Sequence, residues 1–205
     1  MITIGITGII GSGKTTVSGL LKQKGLTIID LDGLAREAIQ FKEVQEDIIT
    51  GLGEEFVKDG AVVVEKLRDL VFADTVKLEK LESIMHQMIL ERIQKEIDTL
   101  KGKKEKTVII DGPLLYEKGL HKNLNKIIVV SATMDKIKER LKKRGLFEED
   151  IERRIALQIP LNEKEKVADF VIFNNGTKDD LMKETEVLWR RIKEWEVRAK
   201  CTLTS

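Results

Sequence analysis

Gly8-Ile9-Ile10-Gly11-Ser12-Gly13-Lys14-Thr15 follows the apolar run Ile2-Thr3-Ile4-Gly5-Ile6-Thr7 and precedes an amphipathic stretch over residues 16–23. The segment satisfies G-x-x-x-x-G-K-[ST] in full, set between a strand pattern and a helix pattern. Glycines let the backbone turn tightly, so that successive N–H groups converge at a helix start, where the dipole favours an anion. Lys14 adds a positive charge that reaches β- and γ-phosphates, and the Thr15 hydroxyl is a suitable ligand for Mg²⁺. Gly8, Gly11, Ser12, Gly13, Lys14, Thr15 and Thr16 are therefore the expected bed of a nucleoside triphosphate. Thr15 is the expected contact to a Mg²⁺ carried with it.

Outward from this loop, five short apolar runs predict buried parallel strands at residues 2–7, 26–30, 107–111, 126–131 and 170–173. Each is rich in β-branched residues and bounded by charge or turn signals. Helical patterns separate them, which predicts a three-layer, doubly wound α/β fold around a five-stranded parallel sheet. In such sheets ligands sit beyond the carboxyl ends of the strands, so loops 8–15, 30–32, 111–117 and 174–176 are expected to form the site. Residues 33–106 are too many for one crossover. Helical spacing at Leu67, Leu70 and Val71, then at Leu78, Leu81, Met85, Met88 and Ile89, predicts an inserted helical subdomain within a single domain spanning 1–205. The core is then expected over about 1–32 and 107–205. The insert is a candidate substrate clamp or a scaffold extension. The run Lys101-Gly102-Lys103-Lys104-Glu105-Lys106 predicts a solvated turn. After Lys178, Leu181, Leu188, Ile192 and Trp195 share one helix face, with Trp189 nearby, as a docking face.

Several side chains outside the loop have the chemistry that phosphoryl transfer asks for, namely positioning and positive charge. In Ile29-Asp30-Leu31-Asp32-Gly33, strand alternation would put Asp30 and Asp32 on one face, with Asp32 at the carboxyl edge. Asp32 there is either a base that accepts a hydroxyl proton or the N-cap of a helix starting near Leu34. Asp111 ends the apolar run Val108-Ile109-Ile110, as a contact to a Mg²⁺-bound water or as a cap. Four of the ten arginines fall within fifteen residues: Arg140, Arg144, Arg153 and Arg154. Arg140 and Arg144 share a helix face that Gly145 is expected to end, and Arg153-Arg154 are expected to open the next helix. In a chain where lysine outnumbers arginine, this concentration points to bidentate phosphate recognition by a lid over about 138–160. A solvated, salt-bridged helix pair is the alternative. His86 is expected to be packed or to touch a substrate, and His121 to lie on a loop surface.

Composition narrows the remaining possibilities. With 36 basic and 35 acidic residues the net charge is +1, so no global field selects nucleic acid or an anionic membrane. The single cysteine, Cys201, excludes an intrachain disulfide and fits a reducing, cytoplasmic setting. No apolar run approaches the ~20 residues of a membrane helix, and no leader pattern opens the chain. Small-molecule substrates and a monomer or weak homo-oligomer are expected. A GTPase switch is disfavoured because Asn125-Lys126-Ile127-Ile128 lacks the acid of N-K-x-D. A regulatory nucleotide binder without turnover would need neither Asp32 nor the arginines.

Together these motifs resemble the dephospho-coenzyme A kinase family along nearly the whole chain. The resemblance rests on Gly5-Ile6-Thr7-Gly8 with Gly11-Ser12-Gly13-Lys14-Thr15-Thr16, on Ile29-Asp30-Leu31-Asp32 with Ala35-Arg36, and on Val71-Phe72. It continues through Leu81-Glu82 with His86, then Asp111-Gly112-Pro113-Leu114-Leu115-Tyr116-Glu117 and Arg154-Ile155 with Gln158. It ends with Ala168-Asp169-Phe170-Val171-Ile172-Phe173-Asn174-Asn175-Gly176. The 111–117 and 168–176 strings are the specific ones, since the phosphate loop alone is shared by many kinases. The resemblance implies a P-loop kinase fold and transfer of the ATP γ-phosphate to the ribose 3′-hydroxyl of dephospho-CoA. It implies Asp32 beside that hydroxyl, with Lys14 and Arg140 also catalytic. It implies Arg36, His86, Asp111, Pro113, Leu114, Leu115, Glu117 and Arg154 on the substrate side, and Arg144, Asn174, Asn175 and Gly176 on the ATP side. The insert is implied to bind the CoA moiety. Another small-molecule or nucleotide kinase on this scaffold is the alternative. Three positions depart from the family pattern: Ile9 stands where glycine is usual, Gln87 where proline is, and Val64 where arginine often is.

Overall fold

The computed structural model describes residues 1–67 and 74–201, so Leu70, Val71 and Phe72 lie outside the described residues. In chain order the main elements are β1 (Ile2–Thr7), α1 (Lys14–Gln23), β2 (Thr27–Asp30), α2 (Leu31–Ala38), α3 (Lys42–Leu52), β3 (Val57–Lys58), β4 (Ala61–Val62) and α4 (Thr75–Gly102). They continue with β5 (Thr107–Asp111), β6 (Lys126–Ser131), α5 (Met134–Lys143), α6 (Glu148–Ala156), α7 (Leu161–Lys166), β7 (Phe170–Phe173) and α8 (Lys178–Cys201). The chain forms two compact units, Met1–Ile29 with Leu100–Ser205, and Asp30–Thr99. α2 begins directly at the end of β2, and α4 runs on to Gly102.

The first unit is built on a five-stranded parallel sheet in the order β2-β5-β1-β6-β7. β1 pairs with β5 through Ile4↔Ile109 and with β6 through Ile6↔Ile128. The chain thus leaves β1 toward one edge and later returns to its other side. That reversal opens a crevice at the carboxyl end of β1, where the phosphate loop begins. Alternation along the strands sends Ile4, Ile6, Ile109, Ile128, Val130 and Ile172 to one face. There Val17 and Leu21 of α1 and Leu188, Ile192 and Trp195 of α8 cover them. The docking face foreseen for the C-terminal helix is this layer. Residues of the opposite alternation, such as Val108, Ile110 and Val129, are also buried, as a sheet covered on both faces requires. α5 ends in a Schellman motif: Leu146 N–H bonds the Leu141 carbonyl at 3.2 Å and Gly145 N–H that of Lys142 at 2.9 Å. Gly145, at φ +84°, takes the left-handed turn that stops the helix.

The second unit has its own core. Val44, Ile48 and Leu52 of α3 pack with Phe56 and Val62, and Leu81, Ile84, Met85 and Met88 of α4 lie against them. A short hairpin, β3 with β4, joins these helices and was not foreseen from the helical spacing. Its Asp59-Gly60 turn has φ +53° and +73°, the geometry that Asp-Gly favours between two paired strands. Gln45, buried on α3, donates to the Gly60 carbonyl at 3.0 Å and fixes that turn.

Leu188 is fully buried in the layer that α8 lays on the sheet. Leu188→Ala is expected to destabilise the protein by about 2–5 kcal/mol, read from the urea unfolding midpoint at unchanged slope.

Candidate active site

α1 starts at Lys14, two residues earlier than the amphipathic pattern suggests, and its N-cap is Gly13 at φ +102°. No side chain caps this helix, and the N–H groups of Gly13, Lys14 and Thr15 take no protein acceptor among the described residues. A helix start left open in this way is an anion seat. The loop is held from behind. Asn174, buried at the end of β7, donates to the Ser12 carbonyl at 2.8 Å, and its own N–H bonds the Ser131 carbonyl at 2.7 Å. A Cβ on Gly13 would run into the Asn174 amide. Arg140, on α5, donates to the Asn174 carbonyl at 2.7 Å and side-chain oxygen at 3.1 Å, and to the Gly11 and Ser12 carbonyls at 3.4 Å. Sequence reasoning places Arg140 over the transferred phosphoryl group and Asn174 beside the base. In the structure both are braces on the carbonyl side of the loop. Lys14 pairs with the buried Asp111 at the end of β5, a pairing the sequence reading did not foresee. Thr15 and Thr16 are exposed.

The turn after β5 is pinned by a residue that the sequence did not single out. Lys164 lies in Leu161-Asn162-Glu163-Lys164-Glu165-Lys166, a string that looks solvated, yet it is 1% exposed. Its ammonium donates to Glu117 at 2.8 Å and to the Pro113 carbonyl at 2.9 Å. Burial pushes the Lys164 pKa down, and the Glu117 carboxylate opposes that shift. The Pro113 carbonyl also accepts from Thr7 Oγ1 at 3.1 Å. Leu115, expected on the substrate side, is fully buried and belongs to the core, while Leu114 is exposed at 36%. Glu117, also expected toward substrate, is engaged by Lys164 and by the Ile159 N–H at 2.9 Å. Its neighbour Tyr116 stacks on His121 with ring centroids 4.5 Å apart, so His121 is less free than a loop surface residue.

Arg153 and Arg154 lie in the last turn of α6 rather than opening it, because Glu148, Glu149 and Asp150 fill the first turn and suit the helix dipole there. Arg153 pairs with Asp150 at 2.7 Å. Arg144, the C-cap of α5, and Arg154 are exposed and carry no ion pair among the described residues. α5 and α6 are joined by Lys138 to Glu148 at 2.7 Å and to Glu152 at 3.1 Å, with Lys142 also on Glu148. Asn175 accepts from the Thr133 N–H at 2.7 Å, and Gly176 precedes the Thr177–Asp180 capping box of α8.

In the second unit, β2 ends at Asp30, so the expected strand alternation does not reach Asp32. Asp30 is the N-cap of α2 and accepts the Asp32 N–H at 3.1 Å, which leaves Asp32 exposed in the first helical turn. The cap role weighed for Asp32 thus belongs to Asp30. Arg36, exposed, sits 3.9 Å from the Asp30 carboxylate. His86 is half-buried on α4.

The sequence profile of a known family, described as dephospho-CoA kinase, matches residues 2–180. The chain belongs to the dephospho-CoA kinase family. The dephospho-CoA kinase of Aquifex aeolicus is 37% identical over 191 residues, covering 92% of this chain and 96% of that one. A solved structure from Thermus thermophilus superposes with a TM-score of 0.79 at 34% identity, covering 93% of this chain and 97% of that one. A dephospho-CoA kinase from Campylobacter jejuni, at 23% identity and a TM-score of 0.72 over 94% of this chain and 97% of that one, shares the fold.

Two of the departures from the dephospho-CoA kinase family pattern have structural reasons. Ile9 keeps its backbone outside the left-handed region and is 4% exposed. Its side chain packs with Ala132, Ile137, Leu141 and Ile151 beneath α5 and α6. Glycine freedom is not needed at this position, and isoleucine adds apolar contact. Gln87 supplies an N–H that proline lacks, and its side chain bonds Glu91 at 3.1 Å one turn on, so α4 continues through it. Nothing in the structure explains Val64, which is 43% exposed.

Gly13→Ala is expected to weaken ATP binding by ~10-fold or more, from backbone strain and collision with Asn174, with unchanged circular dichroism; calorimetric titration reads it. On the surface of α5 and α6, hydrogen bonds from Lys138 and Lys142 pull the Glu148 carboxyl from 4.5 to about 2. A folded value below the unfolded one means that this pairing is complete above the unfolded value and is lost as pH falls through the folded one. An NMR titration of Glu148 should therefore show its midpoint near 2, and a midpoint near 4.5 would show that the pairs do not persist in solution.

Proposed function

We infer that this chain transfers the γ-phosphate of ATP to dephospho-CoA, at the ribose 3′-hydroxyl, giving coenzyme A and ADP. The observation that carries this reading is the open start of α1, with Lys14 beside it, in a chain of the dephospho-CoA kinase family. The N–H groups of Gly13, Lys14 and Thr15 seat the phosphates, and Lys14 exchanges its Asp111 contact for a phosphate oxygen. The exposed Thr15 hydroxyl and the freed Asp111 carboxylate are a donor set of oxygens that suits Mg²⁺. When bound with ATP, that ion screens the phosphate charge.

The acceptor hydroxyl attacks the γ-phosphorus as the bond to the ADP oxygen breaks, and its proton passes to the Asp32 carboxylate. The accessible guanidinium groups of Arg144 and Arg154 serve as phosphate partners when the lid helices close. Asn175 and Gly176 lie on the base side. The second unit, with Arg36 and His86, receives the CoA moiety.

ADP release with dephospho-CoA as acceptor, compared with adenosine, AMP, shikimate and gluconate, tests this reading. Dephospho-CoA alone should stimulate release; a rate no higher than with ATP by itself would end it. Lys14→Ala and Asp32→Asn are each expected to lower turnover by at least ~10², by loss of charge stabilisation and of proton acceptance. Wild-type turnover in Asp32→Asn would remove Asp32 from the base role.

A further inference from the structure

Two adjacent residues in the linker between α6 and α7 hold both loops of the first unit's site. Gln158 accepts the N–H of Ile10, inside the phosphate loop, at 2.9 Å. Ile159 donates its own N–H to Glu117, at the end of the 111–117 turn, also at 2.9 Å. Glu117 is in turn gripped by the buried Lys164, which also reaches the Pro113 carbonyl near the start of that turn. The same Pro113 carbonyl is tied to Thr7 at the end of β1. One end of the turn carries Asp111, the partner of Lys14.

A lysine at 1% exposure is costly to keep charged, and desolvation pushes its pKa down. A structural apolar residue would fill the same volume at lower cost. What an apolar residue could not do is hold two points of one turn, a carbonyl and a carboxylate, at fixed separation. The second oxygen of Glu117 is buried with no partner among the described residues, so the carboxylate too is retained at a cost. Both charges are explained if their task is geometric.

We propose that Lys164 is a positioning residue: through Glu117 and Pro113 it fixes the 111–117 turn against the phosphate loop, and the Gln158-Ile159 linker locks the base of α6 to both. The two loops then keep one spacing through turnover. The proposal rests on the kinase reading above for its effect on turnover, but its effect on the turn is independent of any substrate.

The test compares the wild type, Lys164→Met and the double variant Lys164→Met/Glu117→Gln. Melting temperature, kcat and KM for dephospho-CoA, calorimetric ATP affinity and backbone amide exchange are measured for each. Lys164→Met leaves the Glu117 carboxylate without its cationic partner and should lower the melting temperature; the double variant removes that charge and should recover most of the loss. Positioning predicts that kcat falls ~10-fold or more in both variants, since small misplacements of a site carry penalties of up to ~10²-fold. ATP affinity should stay within ~3-fold, a change too small to displace the phosphate seat. Amide exchange at Lys118 and Gly119, which close the end of the turn on Leu114 and Tyr116, should quicken ~10-fold in both variants, as local opening allows, while α1 keeps its rates. If kcat returns to the wild-type value together with stability in the double variant, Lys164 is merely structural and the proposal fails. Unchanged exchange at Lys118 and Gly119 overturns it as well. If the wild type does not phosphorylate dephospho-CoA, the functional reading falls, and the exchange rates alone decide whether Lys164 holds the turn.

Discussion

Everything in the first unit depends on keeping a helix start unsatisfied. Among the described residues no side chain caps the first N–H groups of α1, whose N-cap is a glycine in the left-handed region. An open helix end of this kind is unfavourable by itself, so the surrounding chain must hold it. It does so from the opposite, carbonyl side, where Arg140 and Asn174 occupy the oxygens of Gly11 and Ser12. Sheet order places this arrangement at the reversal point beside β1, and the apolar contacts of Ile9 tie it to α5 and α6.

The strands and their three-layer class were legible in the sequence because burial on both faces writes itself as short β-branched runs. The phosphate loop was legible because its chemistry depends on backbone and so demands glycines at fixed spacing. The hairpin in the second unit escaped, although Asp59-Gly60 is its turn signal, because two-residue strands are too short to show alternation. Asp32 was placed on a strand because periodicity cannot tell where β2 hands over to α2; that boundary is set by the cap at Asp30.

Side-chain partnership was the least legible level. Lys164 sits among charged neighbours and carries no periodic signal, so only packing reveals that it is interior. Arg140 and Arg144 share a helix face by spacing, yet one grips the loop's carbonyls while the other stays exposed. Which of two like residues meets a carbonyl depends on the partner element, here the end of β7, more than a hundred residues from the loop that it braces. Local sequence holds no record of that encounter.

The pairing of Lys14 with Asp111 has a consequence for what the loop admits. An anion arriving there does not meet a bare cation; it meets one already satisfied by a buried carboxylate. A monovalent ion such as chloride brings one charge and few acceptor atoms, and it gains too little to displace that carboxylate. Only a ligand that brings several charges, and oxygens for the whole row of N–H groups, repays the loss of that contact. The pair therefore sets an entry threshold in charge density.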